Sequence, residues 1–423
     1  MHTKTQKRSK NARIWLIISV LAVVLAEAAF TTMVVRSRGI FEYIGLDYRG
    51  SRTAGEAILE HGLGAAYDLQ LLEASQRQLF DRYVIEREEH TLPFYVVPAP
   101  YPPPFTLAFV PSTLLPPVPG YLAWTLFHAL LLVLYQLRLA RAFGVSKPGW
   151  LIAAVVLSSP AFINLIMGQI SVWLVVFFGE AVIAFDRQQR FRAGVWLGLL
   201  VFKPQVLILF VPALALAGQW RVFLGMVASI AVVIVPILVF AGDWAADYIR
   251  GIRSAAGSTG TVMNIFPSSM TNWRAFGLNA ARLFPPPLAW GVALAAMIAT
   301  AIAGLSCSVG LRSNDRRRPQ QTPGERTGLA WLGLAAATCA FTWHSHVHQL
   351  LLLVPPLYAV VAAHPRLKDV VAFSLLGSSV IFVLAAFTLG IGVAHDILGV
   401  TLLACLVAVT TACVLRLHSV RST

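Results

Sequence analysis

Charge is what this sequence has least of. Only 12% of its 423 residues are Asp, Glu, Lys or Arg, about half of the roughly 25% usual in soluble domains. A water-soluble fold of this length cannot cover its surface with so few polar groups, so lipid is its solvent. Acid is scarcer still, since 19 acidic against 33 basic residues leave a net charge of +14. The basic residues stand in short clusters between apolar runs rather than in one stripe. That pattern excludes a nucleic-acid partner and matches the cationic cytoplasmic loops of a multi-pass membrane protein. Cysteine is nearly absent. Cys307, Cys339, Cys405 and Cys413 all lie in apolar runs, with no CxxC and no Cys/His metal spacing. They read as small core residues and carry no redox information. Internal repeats and low-complexity tracts are also missing, which argues for one integral domain over residues 1–423. What is abundant is apolar: 57% of the chain is hydrophobic and the mean hydropathy is +0.71.

About 20 apolar residues cross a bilayer. Twelve runs qualify or come close: Ile14–Val35, Tyr121–Leu139, Trp150–Met167, Ile170–Phe185, Phe191–Phe202, Val206–Ala217, Val222–Ala241, Leu288–Leu311, Gly328–Thr342, Leu350–Ala363, Val370–Ile391 and Ile397–Leu415. The first follows Lys4, Lys7, Arg8, Lys10 and Arg13. It is too long for a signal-peptide core and no A-x-A site follows it, so it reads as a retained signal anchor. Alternating the twelve runs puts every basic cluster on one side: the N-terminus, Arg138/Arg141/Lys147, Arg187/Arg190/Arg192, Arg221, Arg312 with Arg316–Arg318 and Arg326, Arg366/Lys368, and Arg416/Arg421. This requires Phe105–Leu115 not to cross by itself. It also requires a tight hairpin bent at Lys203-Pro204, where Pro204 lacks the N–H of a continuous helix. The expected fold is therefore an all-α integral membrane bundle of about 12 transmembrane helices. Both termini are expected to be cytoplasmic, with extracytoplasmic loops at 36–104 and 242–287. The first loop is expected to carry an interfacial helix, with Leu69, Leu72, Leu79 and Phe80 at helical spacing beside Glu73, Gln76 and Arg77.

Under this topology the outward helix ends collect the polar residues. Asp47 lies in Gly45-Leu46-Asp47-Tyr48-Arg49; Tyr101 heads a Pro102-Pro103-Pro104 run; Asn164 and Gly168-Gln169 sit at one turn, Lys203-Pro204-Gln205 at the next, and His344, His346, His348 and Gln349 at another. Ionisable residues at membrane depth are costly and point to function. Each has a plainer reading. Asp47 has neighbours in Glu42, Glu56, Glu60 and Asp68 and reads equally as a solvated or capping acid. The proline run makes a rigid helix start, and Gln169 can cap a helix turn. Lys203 either snorkels to the interface or holds an anionic phosphate. His344 and His348, four apart, would share one helical face, a spacing that zinc uses. No nearby carboxylate or cysteine completes a metal set, so hydrogen bonding to substrate or to Asp47 is the expected role.

The order of these pieces resembles the glycosyltransferase 87 family (the DUF2029 type), polyprenyl-phosphate-dependent enzymes of the GT-C superfamily. The matching stretches are Asp47-Tyr48, Gly64-Ala65-Ala66-Tyr67-Asp68, Tyr101-Pro102-Pro103-Pro104-Phe105, Gly168-Gln169-Ile170-Ser171, Gly194 and Lys203-Pro204-Gln205, with His346-Val347-His348-Gln349-Leu350 as a weaker late match. The resemblance is strongest over 40–225. The chain departs from the family pattern at Arg49–Ser51, where a Tyr is common, and at Gln349, where an acid is common. The resemblance implies a GT-C type bundle in the plasma (inner) membrane with its active site on the extracytoplasmic face. It implies inverting transfer of a sugar from a polyprenyl-phosphate sugar to a hydroxyl of a lipid or cell-envelope glycan. The sugar would be a hexose or pentose, with mannose favoured by analogy to polyprenol-phosphate-mannose-dependent mannosyltransferases. Asp47 would be the general base, and Lys203, helped by Arg49 or Arg52, would meet the departing phosphate. Gln169, Gln205 and Tyr101 would bind sugar or phosphate, and His344, His346 and His348 would orient the acceptor or the base. The lipid-linked donor is a co-substrate; no cofactor and no divalent metal are indicated. The rival reading is a polytopic transporter or flippase of lipid-linked substrates, which would show two similar halves and polar residues near the midplane. A non-catalytic assembly subunit is a third.

Overall fold

Every long apolar run lies on helix, because a backbone in lipid must satisfy its own N–H and C=O groups. The computed structural model describes residues 2–84, 94–240, 242–257, 270–312 and 323–419. Arg316–Arg318, Arg421 and the parts 85–93 and 258–269 of the two long loops lie outside the described residues. In chain order the helices are α1 (His2–Arg38), α2 (Leu46–His61), α3 (Leu69–Tyr83), α4 (Pro103–Thr106), α5 (Pro117–Phe143), α6 (Gly149–Val156), α7 (Ser159–Met167), α8 (Val172–Asp186), α9 (Arg190–Gly198), α10 (Leu207–Leu216), α11 (Trp220–Phe240), α12 (Gly242–Gly257), α13 (Trp273–Ala280), α14 (Pro286–Ser306), α15 (Pro323–Phe341), α16 (Val354–Ala363), α17 (Leu367–Leu389) and α18 (Ile391–His418). Among the described residues there is no strand, only the isolated bridges Gly39–Val84 and Met270–His346.

Six helical stretches are long and apolar enough to cross a membrane: Ile14–Arg38, Pro117–Phe143, Trp220–Val239, Pro286–Leu311, Leu367–Leu389 and Ile391–His418. At most 39% of the best window of each is covered by the rest of the chain. The remainder exposes residues such as Leu25, Leu134, Val232 and Leu238, the surface that lipid would cover. The pair α6 and α7, bent by 54°, makes a seventh if taken as one broken span. The other five apolar runs lie on α8, α9, α10, α15 and α16, and none meets the length and composition of a span among the described residues. The expected twelve is thus not reached by length and composition. A helix enclosed by protein is apolar without needing to match the bilayer, so an apolar run counts both kinds.

The core is centred on α15. Trp331 is fully buried, with the rings of Phe178, Phe185 and Phe210 edge-on at 5.6, 5.3 and 5.8 Å. Ala335, Ala336, Ala337 and Ala340 are also fully buried, and small residues let helices approach closely. A Cβ on Gly333 would lie 2.6 Å from Cys307 Sγ and 2.8 Å from Cys413 Cβ. Cys307, Cys339 and Cys413 are buried packing residues, whereas Cys405 is exposed on the outside of α18, against the expectation of four core cysteines.

Three local features position the site. Phe105–Leu115 does not form a span: after α4, residues Leu107–Thr113 make 3₁₀ turns that rise only about 14 Å. They pack on α2, where a Cβ on Gly55 would meet Phe109 O at 2.8 Å. The chain breaks at Lys203 (φ −127°, ψ 75°), and Pro204 opens a new 3₁₀ turn. The flanking helices do not form the expected tight hairpin; α9 packs chiefly on α8 and α11, and α10 chiefly on α11, α14 and α15. In the first loop, α3 forms with Leu72 and Phe80 buried as its pattern predicts. Gln76, placed by the sequence on the polar side, is buried too. Its amide donates to Val97 O and accepts from Val97 N, both at 2.8 Å, which pins the return of the loop to the helix.

Candidate active site

Asp47 is set by the turn before α2. Gly45 adopts φ +72° as the N-cap, and its N–H donates to Ile166 O at 2.7 Å, so the start of α2 is tied to the end of α7. Asp47 falls in the first helical turn, where the helix dipole favours a negative charge. The turn after α7 is built around Asn164, whose backbone O accepts from Gln169 N (2.8 Å) and whose Oδ1 accepts from Ser171 N (3.0 Å). Gly168 must be glycine. Its φ is +77° and an added Cβ would lie 2.5 Å from Tyr48 Cβ. Trp124 Nε1 donates to Gly168 O at 3.0 Å. The turn is thereby pressed against α2, and Gln169 hydrogen-bonds the Asp47 carboxylate while its Oε1 accepts from Tyr101 OH at 3.4 Å.

Lys203, buried at the break before Pro204, donates to Ser171 Oγ at 3.1 Å and lies 3.5 Å from His348 Nε2. Enclosure by protein lifts the Asp47 carboxyl to about 6, against the Gln169 hydrogen bond and the positive charges of Lys203 and Arg49. Enclosure likewise lowers the Lys203 ammonium to about 8, against the pull of Asp47. A carboxylate and an ammonium that feel each other's charge thus line one cavity of about 460 Å³.

Asp47, Arg49, Tyr101, Gln169, Lys203, Gln205, His344, His346 and His348 all line that cavity. The histidines reach it differently from the sequence expectation. Thr342–His346 is not helical; His346 bridges Met270, and Thr271 N donates to Ser345 O at 2.9 Å. His344 stands in a bend, His346 in extended backbone and His348 in the 3₁₀ turns of Val347–Leu353, so the three share no helical face, yet all of them line the cavity. His344 and His346 touch through their Nε2 atoms at 3.0 Å, and the His346 and His348 rings stack at 5.6 Å. Burial, with Lys203 and Arg274 nearby, pushes His344 down to about 4, so it is neutral at pH 7. Among the described residues no group of three His, Cys, Asp or Glu side chains is arranged to hold a metal ion.

The two arginines are otherwise occupied. Arg49 donates to Phe41 O (2.9 Å) and Tyr95 O (2.6 Å), with its guanidinium over the rings of Phe80 and Phe94. Its charge lies at the cavity wall, held there by these contacts. Arg52 is not among the lining residues; it donates to Ser112 O and Leu115 O (2.8 and 2.7 Å) and pairs with Glu56. Arg49 ties the first loop to itself and Arg52 ties α2 to the segment after α4, because buried guanidinium groups must be matched by acceptors. The sequence reading missed Tyr43, Tyr248, Trp343 and His395, which also line the cavity. His395 stands within a spanning helix, so the rule that polar residues there are costly would have flagged it.

A sequence model of glycosyltransferase family 87 matches residues 100–322, more than half of the chain. No curated protein and no solved structure matches it.

Proposed function

The chain belongs to glycosyltransferase family 87 and is a membrane glycosyltransferase; from this we propose that it transfers a hexose or pentose, with mannose favoured, from a polyprenyl-phosphate donor to a hydroxyl of a lipid or cell-envelope glycan. The observation that carries the reading is that Asp47 and Lys203 line one cavity and feel each other's charge. Its volume of about 460 Å³ falls in the roughly 300–1,000 Å³ range of small-ligand sites, and its mouth includes the exposed Trp343.

The acceptor oxygen attacks the anomeric carbon while Asp47 takes the hydroxyl proton. The new C–O bond forms as the bond to the phosphate oxygen breaks, and the prenyl phosphate departs with the electron pair. Attack from the side opposite the leaving group inverts the anomeric centre. Lys203 meets the growing negative charge in a site poor in water, where a fixed cation acts most strongly. Ser171 and the neutral His348 hold the ammonium in place, and Gln169 holds the carboxylate. Gln205 and Tyr101 contact the sugar or the phosphate, and His344 and His346 orient the acceptor. The basic clusters support cytoplasmic termini and a site on the outer face of a plasma membrane.

Incubating the purified protein with labelled polyprenyl-phosphate sugars and a membrane lipid extract tests this. A new labelled glycolipid is expected, and Asp47→Asn should slow its formation by roughly 10²–10⁴-fold. Near wild-type transfer by Asp47→Asn would remove the base assignment. Donor translocation in liposomes with no covalent product would replace the whole reading by transport.

A further inference from the structure

Helix α12 has two faces with different neighbours. The inner face is closed by the first loop. Trp244 is buried, a Cβ on Gly251 would lie 2.9 Å from Tyr67 Cβ, and the Tyr248 and Tyr67 rings meet edge-on at 5.2 Å. Tyr67 OH in turn donates to Tyr101 O at 2.9 Å, and Tyr101, Tyr248 and Ile252 line the cavity. The other face is open. At about 100° per residue, Ile252, Ala245 and Ile249 fall within about 60° of arc, and Arg253 and Arg250 within the next 100° or so. Ile249, Arg250, Ile252 and Arg253 are all exposed. Arg250 pairs with Asp247, and Arg253 has no partner among the described residues. Position decides what this open face meets. The 20 apolar residues Trp220–Val239 of α11 reach about 30 Å, the thickness of a hydrocarbon core. Helix α12 begins within two residues of the end of α11, whose last turns expose Val235, Leu238 and Val239. It therefore starts at headgroup depth, beside a surface that lipid would cover. An apolar strip bordered by arginines is the pattern of a helix lying in that layer. These arginines also stand at the opposite end of α11 from Arg221, where a multi-pass protein ordinarily carries few cations. Charge bias between loops does not account for them.

We propose that α12 seats this wall of the cavity in the bilayer, with Ile249 and Ile252 at the acyl boundary and Arg250 and Arg253 on the phosphates of anionic phospholipids. The apolar strip supplies the depth, and the two cations supply the preference for anionic headgroups. The contact goes beyond sugar transfer and holds whatever the donor or acceptor.

A nitroxide attached at Ile249→Cys reads the seat, in the full chain carrying Cys405→Ser (the exposed cysteine) and held in lipid nanodiscs. In discs containing phosphatidylglycerol the label should collide with oxygen more than with a water-soluble nickel chelate. A label at Asp243→Cys, on the polar edge of the open face, should do the reverse. Replacing phosphatidylglycerol by phosphatidylcholine should lower the ratio of seated to unseated label about thirtyfold, the effect of two arginines at an anionic surface. Arg250→Gln with Arg253→Gln should show the lower ratio already in phosphatidylglycerol. Arg250→Lys with Arg253→Lys, which keeps both charges, should stay near the unsubstituted ratio. An Ile249→Cys label that remains in water in every lipid would overturn the seat. A ratio indifferent to lipid charge or to the Gln pair, or one lost equally with the Lys pair, would overturn the anionic phospholipid as its partner. Full recovery in phosphatidylcholine on adding one farnesyl phosphate per protein would also overturn it, because the arginines would then be ligands of a prenyl phosphate. These readings involve no transfer of sugar, so failure of the glycosyltransferase reading would leave them as they are.

Discussion

Removing the charge of Lys203 should change both the rate and the pH profile of transfer. The proposed mechanism needs Asp47 unprotonated and Lys203 protonated. With Asp47 raised from 3.8 to about 6 and Lys203 lowered from 10.5 to about 8, kcat/KM should fall as pH drops through about 6 and again as it rises through about 8. At pH 7 both groups are about nine-tenths in the active form; at pH 5, or at pH 9, the rate falls to about a tenth. Lys203→Met keeps a long side chain and deletes the ammonium. The alkaline limb should vanish. The acid limb should move above 6, because a charge that held the carboxylate down is gone. A cation about 4 Å from a departing anion, at an effective dielectric near 20, contributes about 4 kcal/mol, which is roughly 10³-fold in rate. The assay is the initial rate of labelled-sugar transfer in detergent across pH 4.5–9.5. A Lys203→Met variant within tenfold of wild type, or one that keeps the alkaline limb, would refute the assignment of Lys203 to the leaving phosphate.

Gly168→Ala should destabilise the protein by about 1–3 kcal/mol, from the strain of a positive φ and the clash with Tyr48. It should also slow transfer by displacing Gln169; thermal unfolding and rate measured on one preparation check both. Arg49→Met should cost about 3 kcal/mol of stability through two lost charged hydrogen bonds and raise the lower limb of the pH profile. Its donor KM should change less than that of Lys203→Met, and the opposite order would make Arg49 a phosphate ligand after all. In intact cells, a cysteine at the exposed His61 should react with an impermeant maleimide added outside, and one at the exposed Arg141 should not. Reversed labelling would put the cavity on the cytoplasmic side.

Much of the architecture was legible because hydropathy is local and additive. The charge deficit forced the membrane, the apolar runs became helices, and Pro204 marked a real break because its missing N–H acts wherever it stands. The helical pattern of Leu69, Leu72 and Phe80 likewise produced α3. Motif order also carried the family, and Asp47, Tyr101, Gln169, Lys203, Gln205 and the three histidines do share one cavity. The number of long spans was not legible, since an apolar run reads the same whether lipid or protein surrounds it. Nor was the use of Arg49 and Arg52, whose partners are backbone carbonyls that composition does not reveal.

What the sequence alone determined was the solvent, the helices, the family and the kinds of side chain present at the site. Tertiary structure decided which of them meet. It bridged His346 to Met270, with His344 in the bend before it and His348 in the 3₁₀ turns after it, and set Tyr43 against His395 across 352 residues. The physical reason is that partition into lipid is a property of each residue, whereas a hydrogen bond or a shifted titration belongs to a pair that only packing brings together.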